Sequence, residues 1–258
     1  MKYVTFLSDF GSADPYIAEV RAVLLRAAPL QMLDLTHEVP PFAVQWGAFQ
    51  LLRSYRYFPK GTIHLAVVDP GVGTERKGLW VKTRDYQFVG PDNGLLRWAV
   101  EACEKVEGKK AVYSEIPIPI GVGPTFHGRD VFAPFVVDIL KGKKRKLKTL
   151  KTLQGKPFPT PVQQGDKFVG EILSWDRFGN LATSHESDPK VKMQARLAGS
   201  RELIPEVANY MEIEKGKVAL IRGSHGFWEI AGRASSAANI LRAQPGDPVT
   251  LLPIATQP

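Results

Sequence analysis

Residues 62–71 read TIHLAVVDPG, and the architecture turns on that stretch. Between Ile63 and Val68 the only polar residue is His64. A strand with one wet face would alternate apolar and polar side chains. A near-continuous apolar run of this length, ended by Pro70 and Gly71, reads instead as a central parallel strand buried on both faces.

Working outward, YVTFLSDFG (3–11) is a second apolar run that ends in polar residues and Gly11, and LQMLDLT (30–36) is a third. Between these two, DPYIAEVRAVLLRAAP (14–29) sets Ile17, Val20, Val23 and Leu24 at helical spacing and stops at Pro29. FAVQWGAFQLLRSYRYF (42–58) predicts another helix, closed by Pro59. GLWVKTRDYQFVGPDNG (78–94) reads as a hairpin or pair of strands, and LLRWAVEAC (95–103) and GRDVFAPFVVDILKG (128–142) as further helices. Alternating strands and helices predict an α/β layered domain with a largely parallel central sheet.

The texture changes near residue 157. GKPFPTPVQQGD (155–166) is rich in turn formers and reads as a connector. Beyond it, KFVGEILSWDRFGNLATSH (167–185), KVALIRGSHGFWEIAG (217–232) and PVTLLP (248–253) are short strands separated by turn signals, with one brief helical stretch at 236–241. The expectation is two domains: an α/β domain over 1–160 and a smaller antiparallel β domain over 161–258.

Composition narrows the classes. With 44% hydrophobic and 23% charged residues, the 258-residue chain has the balance of a soluble globular protein. A single cysteine, Cys103, excludes an internal disulfide framework. Ser8 and Asp9 interrupt the first apolar stretch too early for a signal peptide. No run approaches the roughly 20 apolar residues of a membrane helix. A cytoplasmic protein without a membrane partner is expected. The net charge of +8 gathers in KGKKRKLKTLK (141–151), which lacks aromatics for base stacking, so it predicts a solvated junction rather than a nucleic-acid site.

Several constellations can carry chemistry, each beside a plainer reading. Asp9, at the end of the first strand, can accept two hydrogen bonds from vicinal hydroxyls, ligate a metal, or simply form a turn. Asp69 and Arg76, seven positions apart, can tie a loop together or hold one carboxylate ionised as a base, with Gly71 and Gly73 letting the backbone approach a ligand. His127 precedes a helix start beside Gly128 and is structural or catalytic. Asp176, Phe178 and Asn180 offer a carboxylate, an aromatic face and an amide, or a hairpin turn around Gly179. GSHGFWEIAGRASSAANIL (223–241) lets a backbone edge approach a ligand, with Ser224 and Arg233 as polar anchors. The five histidines are scattered and no HxxH, HExxH or CxxC spacing occurs, so no metal site is expected.

Taken in order, TFLSDFG, DLTHEVPPF, VVDPGVGTER, VGPDNGLL, TFHGRDVFAP, DRFGN and GSHGFWEIA resemble the S-adenosyl-L-methionine hydroxide adenosyltransferases, relatives of the fluorinases and chlorinases. The resemblance runs over about residues 3–254. It implies that water displaces methionine from C5′ of S-adenosyl-L-methionine to give adenosine and L-methionine, with no separate cofactor. It implies a reactive set of Asp69, Arg76 and His127, a ribose carboxylate at Asp9, and Phe42 where the fluorinase packs a tryptophan beside the sugar. Asp176 and Ser224 match residues that hold the methionine amine. Phe178 and Tyr210 would flank adenine, with Asn180 and the backbone around Ala234 reading its edge.

Departures matter as well. The halide-using relatives carry tyrosine in place of Asp69, and the fluorinase has a hydroxyl residue in place of Gly128 and a long insertion before the segment matching YQFVGPDNGLL. All three differences favour water. His225 stands where the fluorinase binds the methionine carboxylate with arginine. The family also implies a homotrimer with sites at subunit interfaces. A chlorinase, or a non-catalytic protein that binds S-adenosyl-L-methionine or adenosine, are the alternatives.

Overall fold

The structure, a computed structural model, describes residues 2–26, 29–188 and 190–254. Residues 27–28, at the tail of the first expected helix, and 255–258, at the end of the second expected domain, lie outside the described residues. The chain forms two compact units, Met1–Phe158 and Pro159–Pro258.

The first unit is built on a sheet of strands β1 (Lys2–Ser8), β2 (Leu30–Thr36), β3 (Ile63–Val67), β4 (Gly78–Lys82), β5 (Gln87–Pro91), β6 (Val112–Ile116) and β7 (Thr149–Leu150). Its helices are α1 (Tyr16–Leu24), α2 (Val44–Ser54), α3 (Arg97–Glu107) and α4 (Ala133–Leu140). The strand order is β2-β1-β3-β5-β4-β6-β7. β1 pairs in parallel with β2 and β3, and β3 with β5. The remainder, β5-β4-β6-β7, is antiparallel. The sheet is therefore mixed rather than largely parallel. The hairpin 78–91 reverses direction, and β6 and β7 add to its far side, where Ser114 and Glu115 interrupt β6 and β7 is only two residues long, leaving no apolar run to read.

All five residues of β3 are buried. Its side chains alternate between two cores, as strand geometry demands. Ile63, Leu65 and Val67 pack with Val20 and Leu24 of α1 and Val136 and Leu140 of α4. Ala66 faces Leu51 of α2 and Ala99, Val100 and Cys103 of α3. Helices on both faces explain why the strand reads as uninterrupted apolar sequence. Each fully buried Leu or Val here contributes about 1.5–3 kcal/mol relative to exposure.

The 141–151 basic run is partly paired. Lys143 contacts Asp138 at 2.7 Å, Arg145 also pairs with Asp138, and Lys148 lies 3.3 Å from Glu115.

The second unit contains β8 (Val162–Gln164), β9 (Lys167–Trp175), β10 (Leu181–Glu186), β11 (Met193–Leu197), β12 (Ile204–Pro205), β13 (Val218–Arg222), β14 (Phe227–Gly232), β15 (Pro248–Pro253) and helix α5 (Ala237–Leu241). The order β12-β11-β15-β9-β10-β14-β13 is antiparallel throughout, with β8 on β9. A parallel bridge between Glu206 and Leu220 draws the two ends together into a nearly closed barrel. β8 falls inside the stretch expected to be a connector. Three residues pairing on the edge of β9 overcame the local turn signals.

Candidate active site

Parallel strands β1 and β3 lie in register with Ser8 opposite Val67, so the loops that follow them leave the same edge of the sheet. Crevices outside the carboxyl ends of such strands are where α/β sheets hold ligands. Asp9 follows β1 and Asp69 follows β3.

Arg76 Nε donates to Asp69 Oδ1 at 3.0 Å, and Arg76 Nη2 donates to Asp69 Oδ2. Only 8% of the Arg76 side chain and 6% of the Asp69 side chain are exposed, so the fork is dry. The same Nη2 lies 3.1 Å from His127 Nδ1. A guanidinium has only donors, so His127 Nδ1 accepts and the imidazole proton sits on Nε2. Burial lowers the His127 pKa, and the Arg76 charge lowers it further, which keeps the ring neutral. Burial raises the Asp69 pKa above the ordinary carboxylate range, although Arg76 opposes that rise. Desolvation outweighs the guanidinium, so the carboxylate is a stronger base than a free aspartate. Arg76 Nη1 is buried without a protein partner, and its guanidinium carbon lies 5.4 Å from the Phe132 ring centroid.

At Gly73 the missing Cβ is required by chain packing. Gly73 has φ +77°, and a Cβ there would stand 2.3 Å from the Pro124 carbonyl oxygen. Its absence lets the loop bearing Arg76 lie against the loop that leads to His127. At Gly128 an added Cβ would meet Phe10 at 3.3 Å and Phe126 at 3.4 Å. Arg129 forks onto Asp130 and reaches Glu19 at 2.7 Å.

Asp9 and Phe42 also meet. The Phe42 backbone N–H donates to Asp9 Oδ2 at 2.9 Å. Phe42 takes φ 67°, a region unfavourable for a bulky residue, and its side chain is 71% exposed. A strained, exposed aromatic beside a carboxylate is the kind of outlier that marks a ligand clamp.

In the second unit, Asp176, Phe178, Asn180, Tyr210 and Ala234 line one cavity of about 540 Å³ together with Gly232, Ser235 and Ser236. Asp176 Oδ1 accepts from the backbone N–H groups of Phe178 and Asn180, both at 2.9 Å, and Oδ2 accepts from Asn180 Nδ2 at 3.1 Å. Asp176 thus builds the turn and still faces the cavity. Gly179, with φ +80° and no room for a Cβ against Ser236 Oγ, completes that turn. Asn180 Oδ1 and Ser235 Oγ are buried without a protein partner, which leaves an acceptor and a hydroxyl to read a ligand edge. Phe178 is 74% exposed and Tyr210 partly so, giving two open aromatic faces.

Ser224 and His225 do not line that cavity. Ser224 is exposed, while His225 is buried with Nε2 3.5 Å from Glu229 Oε2.

Sequence reasoning passed over Glu229 and Asn93. Glu229 is a lone charge inside the apolar run GFWEIAG, and that isolation is the signal that marks it. Asn93 sits in VGPDNGLL, a stretch read for its strand, its helix and the family resemblance but not for a role of Asn93 itself. Among the described residues no group of three or more His, Cys, Asp or Glu could hold a metal ion, and no helix is long and apolar enough to cross a membrane.

Comparison with known proteins follows this geometry. Residues 4–150 match the SAM hydroxide adenosyltransferase N-terminal domain, and residues 170–250 the SAM hydroxide adenosyltransferase C-terminal domain. A Thermus thermophilus protein named (R)-S-adenosyl-L-methionine hydrolase is 37% identical, covering 98% of this chain and 100% of its own. A Salinispora tropica protein of the same name is 33% identical, over 95% of each chain. A crystal structure of a conserved Thermotoga maritima protein superposes with a TM-score of 0.81 at 29% identity, covering 96% of this chain and 99% of its own.

Proposed function

The chain belongs to the SAM hydroxide adenosyltransferase family, and from that premise we propose that it hydrolyses S-adenosyl-L-methionine to adenosine and L-methionine. The observation that carries the reading is the single guanidinium of Arg76 joined to both Asp69 and His127.

In the proposed reaction a water oxygen bonds to C5′ as the C5′–S bond breaks. The bonding pair stays on sulfur, which leaves as the neutral thioether of methionine. The water proton passes to Asp69. Because a sulfonium departs as a neutral molecule, the step needs no cofactor to draw off the leaving group. The difficulty is the weak nucleophile. Holding one water in line with C5′ supplies part of the roughly 7–11 kcal/mol available from positioning, and a base adds about 10²–10⁴-fold. Arg76 keeps the buried carboxylate from protonating, and neutral His127 offers its Nε2 proton to the bound water.

Binding roles complete the reading. Asp9 accepts from the ribose hydroxyls, and Phe42 covers the sugar. Phe178 and Tyr210 sandwich adenine, while Asn180 and the Ala234 backbone read its edge. Asp176 and Ser224 take the methionine amine. The active species is a cytoplasmic homotrimer with sites at subunit interfaces; an active monomer in sedimentation would contradict that assembly.

The test is mass spectrometry after incubation with S-adenosyl-L-methionine and chloride together. Adenosine and methionine are expected. Formation of 5′-chloroadenosine, or recovery of intact substrate, would overturn the reading.

A further inference from the structure

Glu229 lies on β14, between β10 and β13 of the second unit's sheet, opposite Ala182 and Ile221. It is only 7% exposed. A carboxylate that deep is costly unless its oxygens are engaged. Tyr210 Oη donates to Oε1 at 2.9 Å, while His225 Nε2 comes no nearer than 3.5 Å to Oε2 and makes no hydrogen bond to it. The Phe227 backbone N–H donates to His225 Nδ1 at 3.3 Å, so Nδ1 accepts and the ring proton on Nε2 faces the carboxylate.

Tyr210 begins a single 3₁₀ turn, Tyr210–Glu212, and lines the cavity with its ring half exposed. Asn209 and Arg233 hold the backbone of that turn: Asn209 Oδ1 accepts from the Met211 N–H at 3.0 Å, and Arg233 Nη1 donates to the Met211 carbonyl at 3.2 Å. Neither touches the Tyr210 ring. The hydroxyl bond to Glu229 fixes the ring plane. Burial and the adjacent carboxylate push the phenol pKa up to about 12, so Tyr210 remains the donor at any working pH.

We infer that Glu229 is a positioning residue for the nucleobase: by gripping the Tyr210 hydroxyl from β14 it sets one wall of the adenine pocket. This rests on the hydrolase reading, since it assigns the cavity to the adenine of that substrate. It extends the site to a residue that does not line the cavity and acts through one that does.

The experiment is a double-variant cycle on the full-length protein with Glu229→Gln and Tyr210→Phe, reading kcat, KM and adenosine Kd by calorimetry. Loss of a charge-assisted bond that orders a binding wall is expected to raise KM and the adenosine Kd about tenfold in each single variant. kcat should stay within about twofold, because the reacting atoms are untouched. The double variant should be no worse than Tyr210→Phe alone, since a ring without its hydroxyl has no bond left for the Glu229→Gln change to weaken. Additive losses, or an adenosine Kd unchanged in Tyr210→Phe, would overturn the inference; that variant removes only a hydroxyl from a half-exposed ring and keeps the test independent of the buried site's folding. Wild-type protein that binds no adenosine and releases none would instead overturn the functional reading itself.

Discussion

Asn93 Nδ2 donates to the Val68 carbonyl at 2.9 Å, one residue before Asp69. Asn93 Oδ1 in turn accepts from the Leu95 N–H at 3.1 Å, at the approach to α3. One side chain therefore couples the start of a helix to the exit of β3, where the proposed base, Asp69, stands. Asn93→Ala should cost about 1–2 kcal/mol of stability from the two lost bonds. It should also lower kcat about tenfold, because a small misplacement of an orienting group is expensive. Denaturant unfolding and steady-state kinetics on the same preparation check both effects; full activity with lowered stability would show that the bond does not aim Asp69.

The pH profile follows from Asp69 and Arg76. Turnover needs Asp69 deprotonated, so activity falls as pH drops through its folded-state pKa. Burial raises that pKa, and the acid limb should therefore lie above the ordinary aspartate range. Arg76 opposes the rise. Replacing it, as Arg76→Gln, should move the acid limb of kcat upward by about one to three pH units, the usual effect of an adjacent guanidinium on an aspartate. An unmoved limb would mean that the titrating group is not Asp69.

The two open aromatic faces make a different forecast. Phe178 is largely exposed and contributes little to the core, whereas stacking on a base contributes about 1–3 kcal/mol by alanine substitution. Phe178→Ala should weaken adenosine binding to match and leave Tm unchanged. Calorimetry and a thermal melt are enough to decide.

How much of this was legible depends on whether the information is local. β3 and β1 were readable because burial on both faces writes itself into consecutive residues. The hairpin 78–91 was readable from its own turn signals. β6, β7 and β8 were not, since short strands on the margins of a sheet are held by pairing partners rather than by their own pattern. The site divides in the same way. Asp69 and Arg76 share a loop, but His127 lies 51 residues beyond Arg76, and only the family resemblance joined them before the fold did. Gly73 was assigned to ligand approach because its neighbour, Pro124, is equally remote in sequence. Glu229 was passed over for a related reason: its isolation in an apolar strand marks it, but its role shows only once its partner Tyr210 is seen.

The most direct measurement is single-turnover hydrolysis by Asp69→Asn with saturating S-adenosyl-L-methionine, alongside substrate affinity by calorimetry. Asparagine keeps an acceptor for Arg76 but cannot take up the water proton. Adenosine formation should fall by about 10²–10⁴-fold, the share of a general base, while the substrate still binds. Turnover at the wild-type rate would show that no carboxylate at this position activates the water.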